Sequence, residues 1–286
     1  MQKLEIYQSL WAMELRDPAR PERPIEESFA MIADAGFDGA CMDPSVAEIE
    51  ACREYAHLFA EHGLGAMINA FPAAAGDMGP LLDFAEETEA CVVNVISGIM
   101  PLRPADAVDD VRRWIDDAGE RGLPLLFETH RDGLLNDLYF TLQLMELVPE
   151  MRLCADLSHF VVDRELRLPI PERDQRYLGA VLERSDCFQG RIANREQVQV
   201  QINFPQHQPW VDVFRNWWRE GMRAWRQRNP DDATLVFLCE LGPPPYAITD
   251  GAQKELSDRW GEALQIRDWA REIWSELQEE ERNAGD

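Results

Sequence analysis

Leu125-Leu126-Phe127-Glu128 is a short apolar run that ends in a carboxylate, and the pattern returns in Leu153-Cys154-Ala155-Asp156 and Val236-Phe237-Leu238-Cys239-Glu240. Each run is typical of a buried strand that carries an acid at its carboxyl end. Between the second and the third lies Cys187-Phe188-Gln189-Gly190-Arg191, which carries a neutral amide instead of an acid. If these four strand ends meet at one opening, they form an oxygen-rich cage that suits a divalent cation.

Strand-like and helix-like segments alternate along the whole chain. The predicted strands are 6–13, 39–43, 66–71, 92–96, 125–130, 152–159, 187–192 and 234–241. The predicted helices are 24–35, 46–61, 81–89, 105–120, 137–147, 176–184, 214–228 and 255–277. Eight strand–helix pairs predict an α/β chain that forms a single (β/α)8 TIM barrel over residues 1–277. Residues 278–286 are acidic and have no apolar periodicity, so we expect a frayed C-terminal tail there.

The length and composition of the chain limit the classes of function that the protein can have. A length of 286 residues suits one barrel of about 250 residues. The net charge of −25 argues against nucleic acid as a partner, because phosphate binding needs clustered Lys and Arg. Six cysteines without close pairing, and the lack of a long apolar run, predict a cytoplasmic protein without a membrane partner. The sequence contains no glycine-rich phosphate loop, so a nicotinamide or ATP cofactor is not expected. The sequence does not determine whether the protein forms a homo-oligomer.

Four motifs carry a resemblance to a known family. They are Phe127-Glu128-Thr129-His130-Arg131, Ala155-Asp156-Leu157-Ser158-His159-Phe160, Gly190-Arg191-Ile192 and Glu240-Leu241-Gly242-Pro243-Pro244-Pro245-Tyr246. In these motifs, and in the order of its elements, the chain resembles the sugar phosphate isomerase and epimerase superfamily with the xylose-isomerase-like barrel. The resemblance covers nearly the whole chain.

The resemblance implies a metal site. Such proteins bind Mn, Mg, Co or Zn through a Glu, an Asp, a His and a Glu on strands five to eight, which correspond here to Glu128, Asp156, Gln189 and Glu240. Gln189 departs from the family pattern, since it stands where a histidine is usual. If its carbonyl oxygen ligates, the all-oxygen site favours Mn²⁺ or Mg²⁺ over Zn²⁺. If it does not, three carboxylates remain, with His207 of a nearby loop as a further candidate ligand.

The resemblance also implies substrate contacts. His159 follows Asp156 in the Asp-x-x-His pattern whose histidine contacts substrate hydroxyls, and Arg195 has the spacing of a substrate-contacting arginine. Arg191 belongs to the closer subgroup pattern. We expect one of these two arginines to face the pocket and the other to pair with a surface acid. His130 is expected to form a wall of the site, and Trp11 to stack on a sugar ring.

Proton movement next to a carbonyl is the chemistry that such a site supports. By the resemblance, Glu128 and Glu240 are the acid and base of a metal-dependent isomerase or epimerase. The substrate would be a small sugar, keto-sugar or related polyhydroxy carbonyl compound. A dehydratase or lyase on a keto acid shares the first step. An endonuclease at abasic DNA is a weaker fit because its extra histidines and cationic groove are not evident, and a degenerate, non-catalytic metabolite-binding barrel stays open.

Overall fold

A computed structural model describes residues 1–285 of the chain, and within them eight parallel strands close into a barrel. Each strand pairs with its neighbours in sequence, and β8 pairs with β1. The strands are β1 (Lys3–Ser9), β2 (Gly39–Met42), β3 (Gly65–Ala70), β4 (Val92–Val95), β5 (Leu125–Glu128), β6 (Leu153–Ala155), β7 (Ser185–Gly190) and β8 (Thr234–Cys239). The predicted single (β/α)8 TIM barrel is confirmed.

Helices cover the outside of the barrel, and their apolar faces pack on the outward side chains of the strands. The α-helices are α1 (Ile25–Asp34), α2 (Ile49–His62), α3 (Met78–Glu87), α4 (Val108–Glu120), α5 (Leu138–Leu147), α6 (Leu157–Asp163), α7 (Glu172–Arg184), α8 (Gln208–Arg228) and α9 (Arg259–Gly285). In the part of the chain described here, no helix is both long enough and apolar enough to span a membrane.

The interior of the barrel has its own apolar layer, because successive side chains of a strand point to opposite faces. Nine buried residues form this layer, which we call the floor: Tyr7, Cys41, Met67, Val92, Leu126, Cys154, Cys187, Val236 and Leu238. Gly39 and Gly65 make room for the ring of Tyr7, since a Cβ at Gly39 would lie 2.4 Å from that ring. Every strand contributes at least one side chain to the floor, which is therefore a packed core and not a channel.

All eight strands end earlier than predicted, and the differences at β6 and β7 affect the site. β6 ends at Ala155, and Asp156 instead caps α6, because its carboxylate accepts a hydrogen bond from the backbone N–H of Ser158 at 2.9 Å. The motif histidine, His159, consequently lies on a helix and not on a strand. β7 ends at Gly190, so Arg191 lies just beyond the strand.

The C-terminal segment continues as helix to Gly285, where we expected a frayed tail from residue 278. Its acids face the arginines of α8: Glu280 pairs with Arg219 and Arg223, and Glu281 pairs with Arg226. A segment without apolar periodicity is held here by ion pairs, which periodicity does not detect. Residue 286 lies outside the described residues, and the predicted boundary at residue 277 stays a prediction.

Candidate active site

A polar layer lies two residues beyond the floor along seven of the strands. Because side chains alternate with a period of two, a residue two positions after a floor residue also faces the barrel interior. We call this layer the mouth, and its members are Asp43, Asn69, Asn94, Glu128, Asp156, Gln189 and Glu240. All are buried except Asp43, which is partly buried. The four predicted strand-end residues are thus brought together.

Amide side chains link the carboxylates around one side of the mouth. The Nδ2 group of Asn69 donates to Asp43 at 2.6 Å, and that of Asn94 donates to Asn69 at 2.9 Å and to Glu128 at 2.6 Å. Gln189 donates from Nε2 to the same Glu128 oxygen at 2.6 Å. Two neutral amides therefore hold Glu128, and within residues 1–285 this carboxylate has no arginine partner.

Arg191 forms ion pairs with two further carboxylates of the mouth, those of Asp156 and Glu240. Its Nη1 donates to Asp156 Oδ2 at 2.6 Å, its Nη2 donates to Glu240 Oε2 at 3.0 Å, and its Nε donates to the backbone oxygen of Glu240 at 2.9 Å. The rings of Trp11 and Tyr246 cover the guanidinium, with centroids 5.9 and 5.0 Å from its carbon. The side chain is only 2% exposed. A positive charge is therefore fixed at the centre of the mouth.

The three predicted acidic ligands lie close together, with oxygen atoms of Glu128, Asp156 and Glu240 all within 4.8 Å of one another. Burial, together with repulsion from Glu240 and Asp156, raises the pKa of Glu128 well above its ordinary value. Burial also raises the pKa of Glu240 to about 8, against the opposing effect of Arg191. Burial would raise the pKa of Asp156 too, but Arg191 and His159 outweigh it and lower that pKa. Asp156 is thus the ionised partner of Arg191.

Two histidines stand beside the acids. Nε2 of His159 lies 3.2 Å from Arg191 Nη1 and 3.3 Å from Asp156 Oδ2, and the ring of His130 lies 4.1 Å away, centroid to centroid. Burial lowers the pKa of both rings, that of His130 to about 3, so both are neutral. Glu128, His130 and His159 also form a second group of ligand atoms within 4.8 Å of one another.

A cavity of about 450 Å³ opens onto the mouth. Glu128, Glu240 and Arg191 line its base, and Trp11, His130 and Tyr246 are among its walls. Its size suits a small metabolite. A larger cleft of about 710 Å³ lies between the 11–23 segment and the start of α9, and none of the predicted site residues lines it.

The two predicted substrate-contacting arginines have different positions. Arg191 lines the cavity, whereas Arg195 is a third exposed and pairs with Glu165 and Glu196 outside it. The strand ends before Arg191, but the side chain still reaches the mouth, where it bonds Asp156 and Glu240. His207, the alternative ligand, bonds the backbone oxygen of Gln201 through Nδ1 at 2.8 Å and is in neither ligand group found among the described residues.

Sequence reasoning missed Asp43, Asn69, Asn94 and Tyr246. A signal for Asp43 was available, because Ala40-Cys41-Met42-Asp43 is another apolar run that ends in an acid. Asn69 and Asn94 are single polar residues inside apolar strands, a position in which an amide needs a buried partner. Tyr246 lies in a loop, and no periodicity indicates where its ring packs.

The four residues that the resemblance implies as ligands, Glu128, Asp156, Gln189 and Glu240, are not arranged to hold a divalent ion. Arg191 bonds one carboxylate oxygen of Asp156 and one of Glu240, while the second oxygens accept from the backbone N–H of Ser158 and the side-chain amide of Asn69. A guanidinium and a metal ion cannot both lie at close range among these carboxylates without strong repulsion. Gln189 turns its amide nitrogen toward Glu128, since the reverse orientation would place two acceptors against each other. Its Oε1 has no hydrogen-bond partner among the described residues. This single free amide oxygen is not sufficient to coordinate a metal ion.

Solved structures of low sequence identity share this fold. A xylose isomerase-like TIM barrel protein from Mycobacterium smegmatis, in complex with magnesium, superposes with a TM-score of 0.63 at 16% identity over 96% of this chain and 97% of that one. An L-ribulose 3-epimerase gives a TM-score of 0.61 at 13% identity, over 99% and 98% of the two chains. A D-allulose 3-epimerase from Methylomonas sp., in complex with D-allulose, gives 0.60 at 12% identity, over 96% and 98%.

At these identities the likeness establishes the fold, and the predicted resemblance to xylose isomerase-like barrels is confirmed at that level. No family model matches the chain, and no curated protein matches it. The functional assignment therefore depends on the residues of the mouth.

Proposed function

We propose that this barrel is an isomerase or epimerase of a small sugar, keto-sugar or related polyhydroxy carbonyl compound. The observation that carries the proposal is the pair Glu128 and Glu240, two buried carboxylates on the base of one small cavity. The barrels of the same fold that are named as epimerases of L-ribulose and D-allulose support the substrate class.

The two carboxylates have the properties that proton transfer next to a carbonyl requires. Their pKa values are raised toward neutrality or beyond, which makes each a stronger base when ionised and able to hold a proton when neutral. In the proposed reaction one carboxylate removes the α-proton and the other delivers a proton to the opposite face. Return of the proton to the same carbon inverts that centre. In an isomerisation the proton is delivered instead to the former carbonyl carbon, the hydroxyl proton passes to the former carbonyl oxygen, and the product again has the same atoms as the substrate.

Neighbouring side chains supply orientation. Asn94 and Gln189 fix one Glu128 oxygen, and Arg191 fixes one Glu240 oxygen. The second Glu240 oxygen accepts only a long hydrogen bond of 3.4 Å from Asn69, which a substrate group can replace. Trp11 and Tyr246 offer aromatic faces of the kind on which sugar rings stack. The neutral ring of His130 lines the cavity and can bond a substrate hydroxyl without adding charge, whereas the predicted contact His159 is fully buried and does not line the cavity.

The test is isotope exchange in deuterated water with a panel of ketoses, including D-allulose and L-ribulose. We expect one solvent deuteron per turnover at a carbon next to the carbonyl, detected by NMR and mass spectrometry. Glu128→Gln and Glu240→Gln should each lower the rate by at least about 100-fold, the scale of a lost acid or base. Glu54→Gln, an exposed glutamate on α2, is the matched control and should keep full activity.

Other outcomes point to other functions. Loss of water from the product would replace the proposal with the dehydratase alternative. A metabolite-binding barrel without catalysis is the second candidate, and it is favoured by one observation, the engagement of two mouth carboxylates by Arg191. A ligand that raises the melting temperature but never exchanges deuterium would support that candidate and overturn the isomerase.

A further inference from the structure

Arg191 is unusual among the arginines of this protein because acids of two different strands hold it inside the barrel. It is 2% exposed, and it is ion-paired to Asp156 after β6 and to Glu240 after β8. A buried arginine is stable only when its charge and its donors are matched. Here three donor nitrogens have acceptors at 2.6 to 3.0 Å, and two aromatic rings cover the group.

The third carboxylate has donors of its own. Glu128 accepts two hydrogen bonds of 2.6 Å from the side-chain amides of Asn94 and Gln189. Together with Arg191, these amides provide a donor to every carboxylate of the cluster. A divalent ion would have to displace the arginine before it could take the same oxygens.

We infer that the Arg191 guanidinium is the resident cation of this mouth, in the place of a divalent metal ion, and that the Glu128, Asp156 and Glu240 cluster is complete without metal. If the proposed isomerase function holds, Arg191 is then also the positive group nearest to the substrate oxygen on which charge develops. That second statement rests on the proposed function, whereas the first does not.

The decisive measurement is made on the full-length wild-type protein without substrate. After purification we expect less than about 0.1 equivalent of manganese or magnesium by elemental analysis. We also expect no rise in melting temperature when Mn²⁺ or Mg²⁺ is added after EDTA treatment, because a ligand that binds the folded state would raise it. These two hard ions are chosen because the overlapping group of Glu128, His130 and His159 would favour softer metals.

Variants of Arg191 test whether it occupies the metal's place. Arg191→Met removes the charge but keeps much of the volume, so it should lower the melting temperature and create a stabilising response to Mn²⁺ that the wild type lacks. Arg191→Lys keeps the charge and should show no such response. Arg195→Met, four residues along the same loop, is the matched control and should change neither readout, because its arginine pairs with surface acids.

Two results would overturn the inference. One is a wild type that retains about one equivalent of either ion, or that either ion stabilises reversibly. The other is a folded Arg191→Met protein that gains no response to Mn²⁺. Should Arg191→Met fail to fold, the wild-type metal content and the Arg191→Lys response decide alone. Since no readout involves turnover, failure of the isomerase proposal leaves this test intact.

Discussion

The floor and the mouth of the barrel come from the same strands, two residues apart, and they differ in composition and in partners. The floor is apolar apart from its thiols and the Tyr7 hydroxyl, and it packs side chain against side chain. The mouth holds four acids and three amides, and each of them makes at least one hydrogen bond to another side chain. The contrast indicates that stability resides mainly in the floor and chemistry in the mouth, which leads to three predictions.

The largest expected effect separates the two layers on one strand. Leu126→Ala in the floor should lower the free energy of unfolding by about 3 kcal/mol, because it removes buried methyl groups and leaves a cavity. Glu128→Gln in the mouth, two residues later, should change it by less than about 1 kcal/mol, since an amide oxygen can still accept from Asn94 and Gln189. Urea unfolding of both variants measures the difference. Equal losses would show that the mouth is as important for stability as the floor.

A second prediction concerns the space under the Tyr7 ring. Gly39→Ala should destabilise the fold by about 2 kcal/mol, because the new Cβ would lie 2.4 Å from that ring and 2.5 Å from the backbone oxygen of Gly65. Gly119→Ala on α4, where no atom lies within 4 Å of the new Cβ, is the matched control and should be neutral or slightly stabilising. Thermal unfolding compares them, and a Gly39→Ala protein as stable as wild type would mean that the floor is loosely packed.

The smallest effect is a pH dependence that the mouth has and the floor lacks. Burial raises the pKa of Asp43 to about 7, so the folded protein holds this proton more tightly than the unfolded chain does. The stability that this group contributes is full below about pH 4 and is lost as the pH rises through about 7. Asp43→Asn removes this titration. The free energy of unfolding of the variant, relative to that of the wild type, should therefore rise by about 1–2 kcal/mol between pH 5 and pH 8.

Cys41→Ala, two residues earlier on β2, is the control for this pH dependence. Burial raises the pKa of the Cys41 thiol well above its ordinary value, so the thiol stays neutral throughout this range. The Cys41→Ala substitution should therefore change the free energy of unfolding by the same amount at pH 5 and at pH 8. A Cys41→Ala effect that varied with pH as strongly as that of Asp43→Asn would remove the distinction between the layers.

The barrel could be predicted because it depends on periodic signals. Eight apolar runs alternating with helical patterns determine its architecture, and the acid at the end of a run identifies Glu128, Asp156 and Glu240. Asp43 carries the same signal but precedes the motifs on which the resemblance depends. Asn69 and Asn94 each interrupt an apolar run with one polar residue, which is too short a pattern to mark a site.

The role of Arg191 could not be predicted, because it depends on three-dimensional packing. Spacing along the strand gives the direction of a Cβ, but the path of a long side chain depends on what surrounds it. Only the folded chain shows that Asp156, Glu240, Trp11 and Tyr246 together enclose the guanidinium. The substitution of Gln189 for a histidine is visible in the sequence, whereas the direction of its amide is not.

The pairing of β1 with β8 has a consequence for how the protein is made. This ladder runs from Lys3 opposite Thr234 to Gln8 opposite Cys239, so its two strands are more than 200 residues apart in the chain. During synthesis one edge of β1 stays unpaired until β8, more than 200 residues later, has left the ribosome, and exposed strand edges promote aggregation. Closure of the barrel requires β8, so a chain that lacks β8 has both edges of its sheet open to other chains.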